Sequence, residues 1–475
     1  MASDQDRQQV TVLLEQALKQ WHREAEPLAL DEALPFLARQ AKANWSGNSS
    51  RPTQQVVNQL LLNLLETLAE QDAGAATLLR RRYIDDKTGF AVANSLGISE
   101  SAFYRQRRDA LAALTALALN LEAQTRSDHV SRLEDRLETP SYQQLFGLDG
   151  LRSRLGQLLC NSSNIRLFCL TGIGGIGKTS LADAVTRDLI AAGCFDEVLW
   201  ISTRQHQFTP WAEIQMGDAP SLTPDEFVVA LDRQLHKTMS PPRPPEEILS
   251  TLKIQMAKQA HLIVLDNLET AADYQELMPV LRDLAQFAWV LLTSRVDMYE
   301  QPDIHITNLA ELNAVDAETL VRSEATRRGI HDLAQAPSEM MTQIYEVVGG
   351  NPLALKLIIG QVHVRSLSTV LSDLNEARGR RVEALYEFIY RRAWDLLDDV
   401  ARQVLLTMPL VAAPGTTIEH IIGASGLTYD EVDSGLDLLI RLSLVNVGGS
   451  LNNRHFYIHR LTETFLHKQV TKWQT

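Results

Sequence analysis

Cysteine is scarce in this 475-residue chain. Cys160, Cys169 and Cys194 are too few and too scattered for a disulfide framework or a thiolate metal site, so a reducing, cytoplasmic setting is expected. Long apolar runs are missing as well. None approaches the ~20 residues that span a bilayer, so no membrane part is expected. The polar opening from Met1 to Val10 lacks the apolar core of a signal peptide. An excess of positive charge is also absent. The net charge of −14 excludes a protein that coats nucleic acid over its whole surface, while leaving room for a local basic patch. No internal repeat of about 20–50 residues is present. What remains is 45% hydrophobic, enough for real cores, over a length that suits roughly three to four domains.

The first 70 residues carry apolar residues at helical spacing, as in 10–18 and 56–65. Residues 75–123 read as three more helices, and the polar stretch 124–142 as a linker. An α/β region follows, with strands expected at 165–171, 196–203, 261–266, 289–294 and 303–307. Helical patterns separate them, which implies a parallel sheet. Beyond about 310 the pattern is mostly helical until a Gly-turned β-like stretch at 443–449 and 455–458, which suggests a winged helix. The expected fold class is therefore multidomain α/β plus α. Its parts are an N-terminal helical region (1–70), a helix-turn-helix (71–125), a linker (126–142), a P-loop parallel-sheet nucleotide-binding domain (143–308), a helical domain (309–375) and a winged-helix domain (376–475).

Residues 172–180, Gly-Ile-Gly-Gly-Ile-Gly-Lys-Thr-Ser, satisfy G-x-x-x-x-G-K-[ST] between an apolar strand and a helical pattern. Gly172, Gly174, Gly175, Ile176 and Gly177 let backbone N–H groups turn around a diphosphate at a helix N-terminus. Lys178 reaches the β- and γ-phosphates, and Thr179 and Ser180 open the helix, Thr179 offering its hydroxyl to Mg²⁺. Asp266 ends the apolar run 262–265, at the sheet edge where a second Mg²⁺ ligand is needed. Arg295 ends the buried run 289–294, where a guanidinium reaches a γ-phosphate and tells ATP from ADP.

In this order the motifs resemble the NB-ARC branch of the STAND signalling NTPases, whose relatives include plant resistance proteins and apoptosis scaffolds. The resemblance spans about residues 143–470. Phe146-Gly147-Leu148-Asp149 is similar to the family's leading adenine-contact segment, and Gly172–Ser180 to its Walker A. Phe195–Ser202 resembles its second strand, Leu265-Asp266-Asn267-Leu268-Glu269 its Walker B and Leu292-Thr293-Ser294-Arg295 its sensor. Gly349-Gly350-Asn351-Pro352-Leu353-Ala354-Leu355 resembles the motif whose proline, here Pro352, lies against adenine. Tyr457-Ile458-His459-Arg460-Leu461 resembles the winged-helix motif whose histidine, here His459, touches the ADP β-phosphate. The resemblance implies ATP/ADP with Mg²⁺ as ligands, an ADP-bound resting state and an ATP-bound state that oligomerises. Two positions depart from it. Asn267 stands where relatives carry a second acid that polarises the attacking water. Glu269 is the candidate substitute, and slow hydrolysis at most is expected. Ile458 and Arg460 flank His459 in place of the commoner Met and Asp.

Residues 78–108 look like a sigma-region-4-type helix-turn-helix. Ala93 and Gly97 have its spacing, Ile98 and Phe103 face its core, and Ser99 caps its second helix. That helix is expected to expose Ser101, Tyr104, Arg105, Arg107 and Arg108. Seven basic residues against three acidic ones give this segment +4, the electrostatic footprint of a DNA-binding face. Ser101, Tyr104, Arg105 and Arg108 are the candidate DNA contacts. The reading is a nucleotide-switched transcriptional regulator. The rival from another class is a defence or cell-death scaffold whose N-terminal helices recruit a protein effector. A plain ATPase motor is disfavoured by Asn267. Relatives carry a ligand-sensing repeat array after the winged helix, and none fits before Thr475. The input is expected from a protein partner, from residues 1–70 or from the nucleotide domain itself.

Overall fold

The computed structural model describes residues 4–22, 30–44, 52–140, 142–161, 165–202, 222–236, 243–268, 271–294, 301–370, 390–391, 393–394, 396–411, 415–442, 444–450, 453–458, 462 and 466. The chain divides into two compact units, residues 1–134 with 190–193, and residues 135–189 with 194–475.

The first unit is all helical. Helices α1 (Asp4–Lys19), α2 (Leu30–Ala33), α3 (Pro35–Asn44), α4 (Pro52–Gln71) and α5 (Ala73–Leu79) lead into a π-helical turn, Arg80–Ile84, then α6 (Gly89–Leu96) and α7 (Glu100–Glu134). Their apolar faces share one core, including Leu14, Leu61, Leu64, Phe103 and Leu114. The expected linker begins inside α7. Its residues at 124–134 continue a 35-residue helix, with no Gly or Pro among them to break it and Leu133 buried on its inner face.

The second unit opens with α8 (Asp149–Asn161) and β1 (Leu167–Thr171). It continues through α9 (Lys178–Ala192), β2 (Glu197–Ser202), α10 (Pro224–Leu235), α11 (Pro245–Met256), β3 (His261–Leu268), α12 (Ala271–Leu284), β4 (Trp289–Ser294) and β5 (His305–Asn308). The five strands fall close to their expected places, and all pair in parallel in the order β2-β3-β4-β1-β5. The apolar runs of β1, β2, β3 and β4 are buried on both faces, as a helix-covered parallel sheet requires, while the edge strand β5 is mostly polar and part-exposed. Because β4 lies between β1 and β3, its C-terminal end sits between the segments that follow those two strands.

Helices α13 (Ala314–Arg327), α14 (His331–Ala334), α15 (Ser338–Val348) and α16 (Pro352–Val364) come next. Then follow α17 (Asp399–Val411), α18 (Ile418–Ser425), α19 (Tyr429–Arg441) and the antiparallel pair β6 (Val445–Ser450) and β7 (Asn453–Ile458). These helices and the hairpin share one core, in which Leu357, Val404, Leu436 and Phe456 meet. Arg328 donates from beyond α13 to the Ile440 carbonyl of α19 at 3.1 Å.

The cysteine reading is corrected. Cys160, in the last turn of α8, and Cys194, just past α9, form a disulfide across 34 residues of sequence. They are distant along the chain but adjacent in space. Arg152, in the first turn of α8, pairs bidentately with Asp188 of α9 at 2.6 Å, a second tie between the two helices. Cys169 is buried in β1. Among the described residues no helix is long and apolar enough to cross a membrane.

Candidate functional site

The Gly-rich segment lies where the sequence puts it, after β1 and before α9. Gly172, Gly175 and Gly177 have φ of 146°, 74° and 107°, a region that suits glycine and turns successive N–H groups to one side. Gly175 is glycine for a second reason. A Cβ there would come within 2.8 Å of Leu353 Cβ, in the first turn of α16. Ile176 is buried and anchors the loop. Lys178 and Thr179 open α9, and Ser180 follows them in its first turn. Lys178 Nζ donates to the carbonyls of Gly172 at 2.7 Å and Ile173 at 3.0 Å.

Asp266 lies near the C-terminal end of β3, 1% exposed. Its Oδ1 accepts from Thr179 Oγ1 at 2.8 Å and from Thr293 Oγ1 at 2.6 Å. Its Oδ2 accepts from Asn267 Nδ2 at 2.7 Å. Hydroxyl and carboxylate, the expected Mg²⁺ pair, are thus adjacent. Among the described residues no group of three or more His, Cys, Asp or Glu side chains gathers into a metal site. A glycine cradle, a lysine, a helix N-terminus and one hydroxyl–carboxylate pair fit a nucleotide whose phosphates supply most of the cation's ligands.

Two members of this site were not legible as such. Thr293 of β4 is wholly buried. Its hydroxyl donates to Asp266 and accepts the Asn267 N–H at 2.9 Å. Asn267 itself has φ 71°, a left-handed conformation that Asn tolerates better than most residues. The backbone turn and the carboxamide together clamp the Asp266 carboxylate. Asn267 therefore has a holding role in a position where a base would have none of its donor capacity.

Phe146 packs on the helical core, and Gly147, at φ 65°, lies against Asp316 of α13 and Leu312. Pro352 is the first residue of α16. Its neighbours touch the P-loop: Asn351 Nδ2 donates to the Gly174 carbonyl at 3.0 Å, and Leu353 faces Gly175. The motif expected near adenine therefore lies beside the phosphate loop's own backbone. Glu269, Arg295 and His459 lie outside the described residues.

In the N-terminal unit, α6 ends at Gly97 with φ 68°. Ile98 N–H reaches the Ala93 carbonyl and Gly97 N–H the Asn94 carbonyl, a Schellman-type end. Ser99 Oγ accepts the Ala102 N–H at 3.3 Å and caps α7, as expected. Phe103 is buried and Ile98 half-buried, while Ser101, Tyr104, Arg105 and Arg108 are exposed. Arg107 corrects the expectation. It is half-buried, lies over the Tyr104 ring at 5.6 Å and approaches Glu15 of α1 at 3.9 Å. One residue before Arg108, the helical turn carries it towards the core instead of solvent. Arg81, counted in the basic patch, bonds Ser95 Oγ at 2.8 Å and so staples the π-turn to α6.

The NB-ARC domain family matches residues 149–313, and a family described as a protein of unknown function (DUF1492) matches residues 48–115. Transcription activator GutR of Bacillus subtilis is 21% identical over 61% of this chain and 36% of its own length. A probable disease resistance protein of Arabidopsis thaliana is 23% identical over 50% of this chain and 26% of its own. The chain thus spans well under half the length of these relatives. Among solved structures, a signal transduction ATPase with numerous domains and a tetratricopeptide repeat sensor from Pyrococcus horikoshii covers 69% of this chain. The match takes in 43% of that protein, at 18% identity and a TM-score of 0.42.

Proposed function

We propose that this chain, an NB-ARC-type P-loop NTPase of the STAND signalling class, is an ATP/ADP switch whose output is regulated DNA binding by its N-terminal helices. The observation that carries the switch is the direct contact of the helical subdomain with the P-loop, through Asn351 and Leu353. A loop that holds phosphates is then mechanically part of the helices that would rearrange. When bound, the nucleotide would supply anionic phosphates to Lys178 and the loop N–H groups, with Mg²⁺ between Thr179 and Asp266. Lys178 already lies over the loop, where phosphate oxygens would take the place of the Gly172 and Ile173 carbonyls it now donates to. Thr293 and Asn267 hold Asp266 in one orientation. Asn267 cannot take a proton from water, so turnover is slow at most. Resting ADP and activating ATP would favour two packings, and each must bind the two with different affinity to shift them. Oligomerisation of the ATP form and sensing through a partner protein belong to the same reading.

The DNA output is supported by exposed Arg105 and Arg108 on a capped, core-packed helix, and by the kinship with a transcription activator. The test is duplex-DNA binding with ATP or ADP present, for the unaltered chain and for Arg105→Ala with Arg108→Ala. The double variant should weaken binding and lower the salt slope by about one for each phosphate no longer neutralised. Undiminished signalling by that variant in cells would instead favour the rival reading, a scaffold whose N-terminal helices recruit a protein effector.

A further inference from the structure

We propose that Asn351 is a positioning residue that couples the P-loop to the helical subdomain, and that its side-chain amide slows the release of bound nucleotide. The proposal rests on the nucleotide-binding reading of the P-loop. Asn351 is 2% exposed, and both ends of its amide are used. Oδ1 accepts the N–H groups of Leu353 at 3.0 Å and Ala354 at 3.3 Å, capping α16. Nδ2 donates to the Gly174 carbonyl in the centre of the P-loop at 3.0 Å. The orientation is fixed by chemistry. Two helix N–H groups accept nothing, so the oxygen must face them and the NH₂ must face the loop carbonyl.

The base of this post is rigid. Leu312 N–H donates to the Gly350 carbonyl at 2.9 Å, Glu311 Oε2 accepts the Gly350 N–H at 3.2 Å, and Tyr345 Oη donates to the Leu312 carbonyl at 3.1 Å. Any shift of the P-loop that follows the phosphates therefore pulls on the first turn of α16. Any rotation of α16 withdraws a donor from the P-loop.

The cap and the clamp can be separated. Asn351→Asp keeps the cap acceptor, and its charge suits a helix N-terminus. It replaces the Gly174 donor with an oxygen that repels that carbonyl. Asn351→Ala removes both interactions. The experiment loads the full chain with Mg²⁺ and ADP carrying an N-methylanthraniloyl fluorophore, then chases with excess ADP. The melting temperature of each nucleotide-free protein is measured alongside. Both variants should release the nucleotide about tenfold faster, the weight of one buried hydrogen bond. Both variants should melt below the unaltered protein, Asn351→Asp by less because it keeps the α16 cap. Release from Asn351→Asp at the unaltered rate would overturn the proposal and leave Asn351 as a cap. So would faster release that comes only with an equal loss of melting temperature in both variants. Failure of the unaltered chain to bind the probe is a separate result, which removes the nucleotide reading and this proposal with it.

Discussion

Thr293→Val tests whether the Walker B carboxylate is held by the strand beside it. Val fills the space of Thr but loses the hydroxyl. The change removes a donor to the Asp266 carboxylate at 2.6 Å and leaves the Asn267 N–H without its acceptor. A hydrogen bond to a charged group contributes about 1.5–3 kcal/mol, and an orphaned buried donor costs about 1–3 kcal/mol. Asp266 keeps Thr179 and Asn267 as partners, so the carboxylate is loosened, not stranded. The expected loss is about 3 kcal/mol. The assay is urea unfolding followed by tryptophan fluorescence, with Trp200 and Trp289 reporting from β2 and β4 of the same sheet. Thr293→Ser should recover most of the loss. The dependence of ADP affinity on Mg²⁺ should weaken in the valine variant and return in the serine variant. A valine variant within about 0.5 kcal/mol of the unaltered protein would refute the clamp, since that is the range of a neutral surface change.

Glu324 is buried against Arg327 and Arg328, and Arg328 bridges to the Ile440 carbonyl. Burial pushes its carboxyl up, but the two guanidinium groups outweigh this and hold it below the ordinary 4.5. Its stabilising contribution is therefore complete above that value and fades as pH falls through the lowered one. Glu324→Gln should cost about 3 kcal/mol at neutral pH by leaving Arg328 buried without a counter-charge, and the gap should narrow in acid. Denaturation midpoints at pH 7 and below pH ~4 check both; a pH-independent gap would contradict the ion-pair account. Gly350→Ala would drive a methyl group into the Leu312 carbonyl and break the Leu312 N–H to Gly350 bond. A loss of about 2–4 kcal/mol is expected, read by the same unfolding assay.

The sheet was legible because four of its strands, β1 to β4, are short apolar runs rich in Val, Leu and Ile with helical patterns between them. The P-loop was legible because its glycines, lysine and threonine are consecutive. What escaped depended on packing between distant segments. The roles of Thr293 and Asn267 follow from β4 lying between β1 and β3, an order no local pattern states. Asn351 looks in sequence like an ordinary turn residue before Pro352. Its reach to Gly174 crosses 177 residues. Arg107 could have been placed from Phe103, which lies four residues earlier on the same helix face; what no local pattern states is that Glu15 of α1 waits there to meet it. The disulfide between Cys160 and Cys194 follows from the pairing of α8 with α9, which spacing alone does not reveal. The polar residues at 124–134 show that polarity marks exposure more reliably than it marks the end of a helix.

The central claim is that this P-loop holds its nucleotide as a switch and does not turn it over as a motor. The direct measurement is to purify the protein without added nucleotide, denature it and identify what is released by ion-exchange chromatography. The account predicts about one ADP per chain, by the single P-loop. An empty site, or rapid turnover of added ATP, would contradict it.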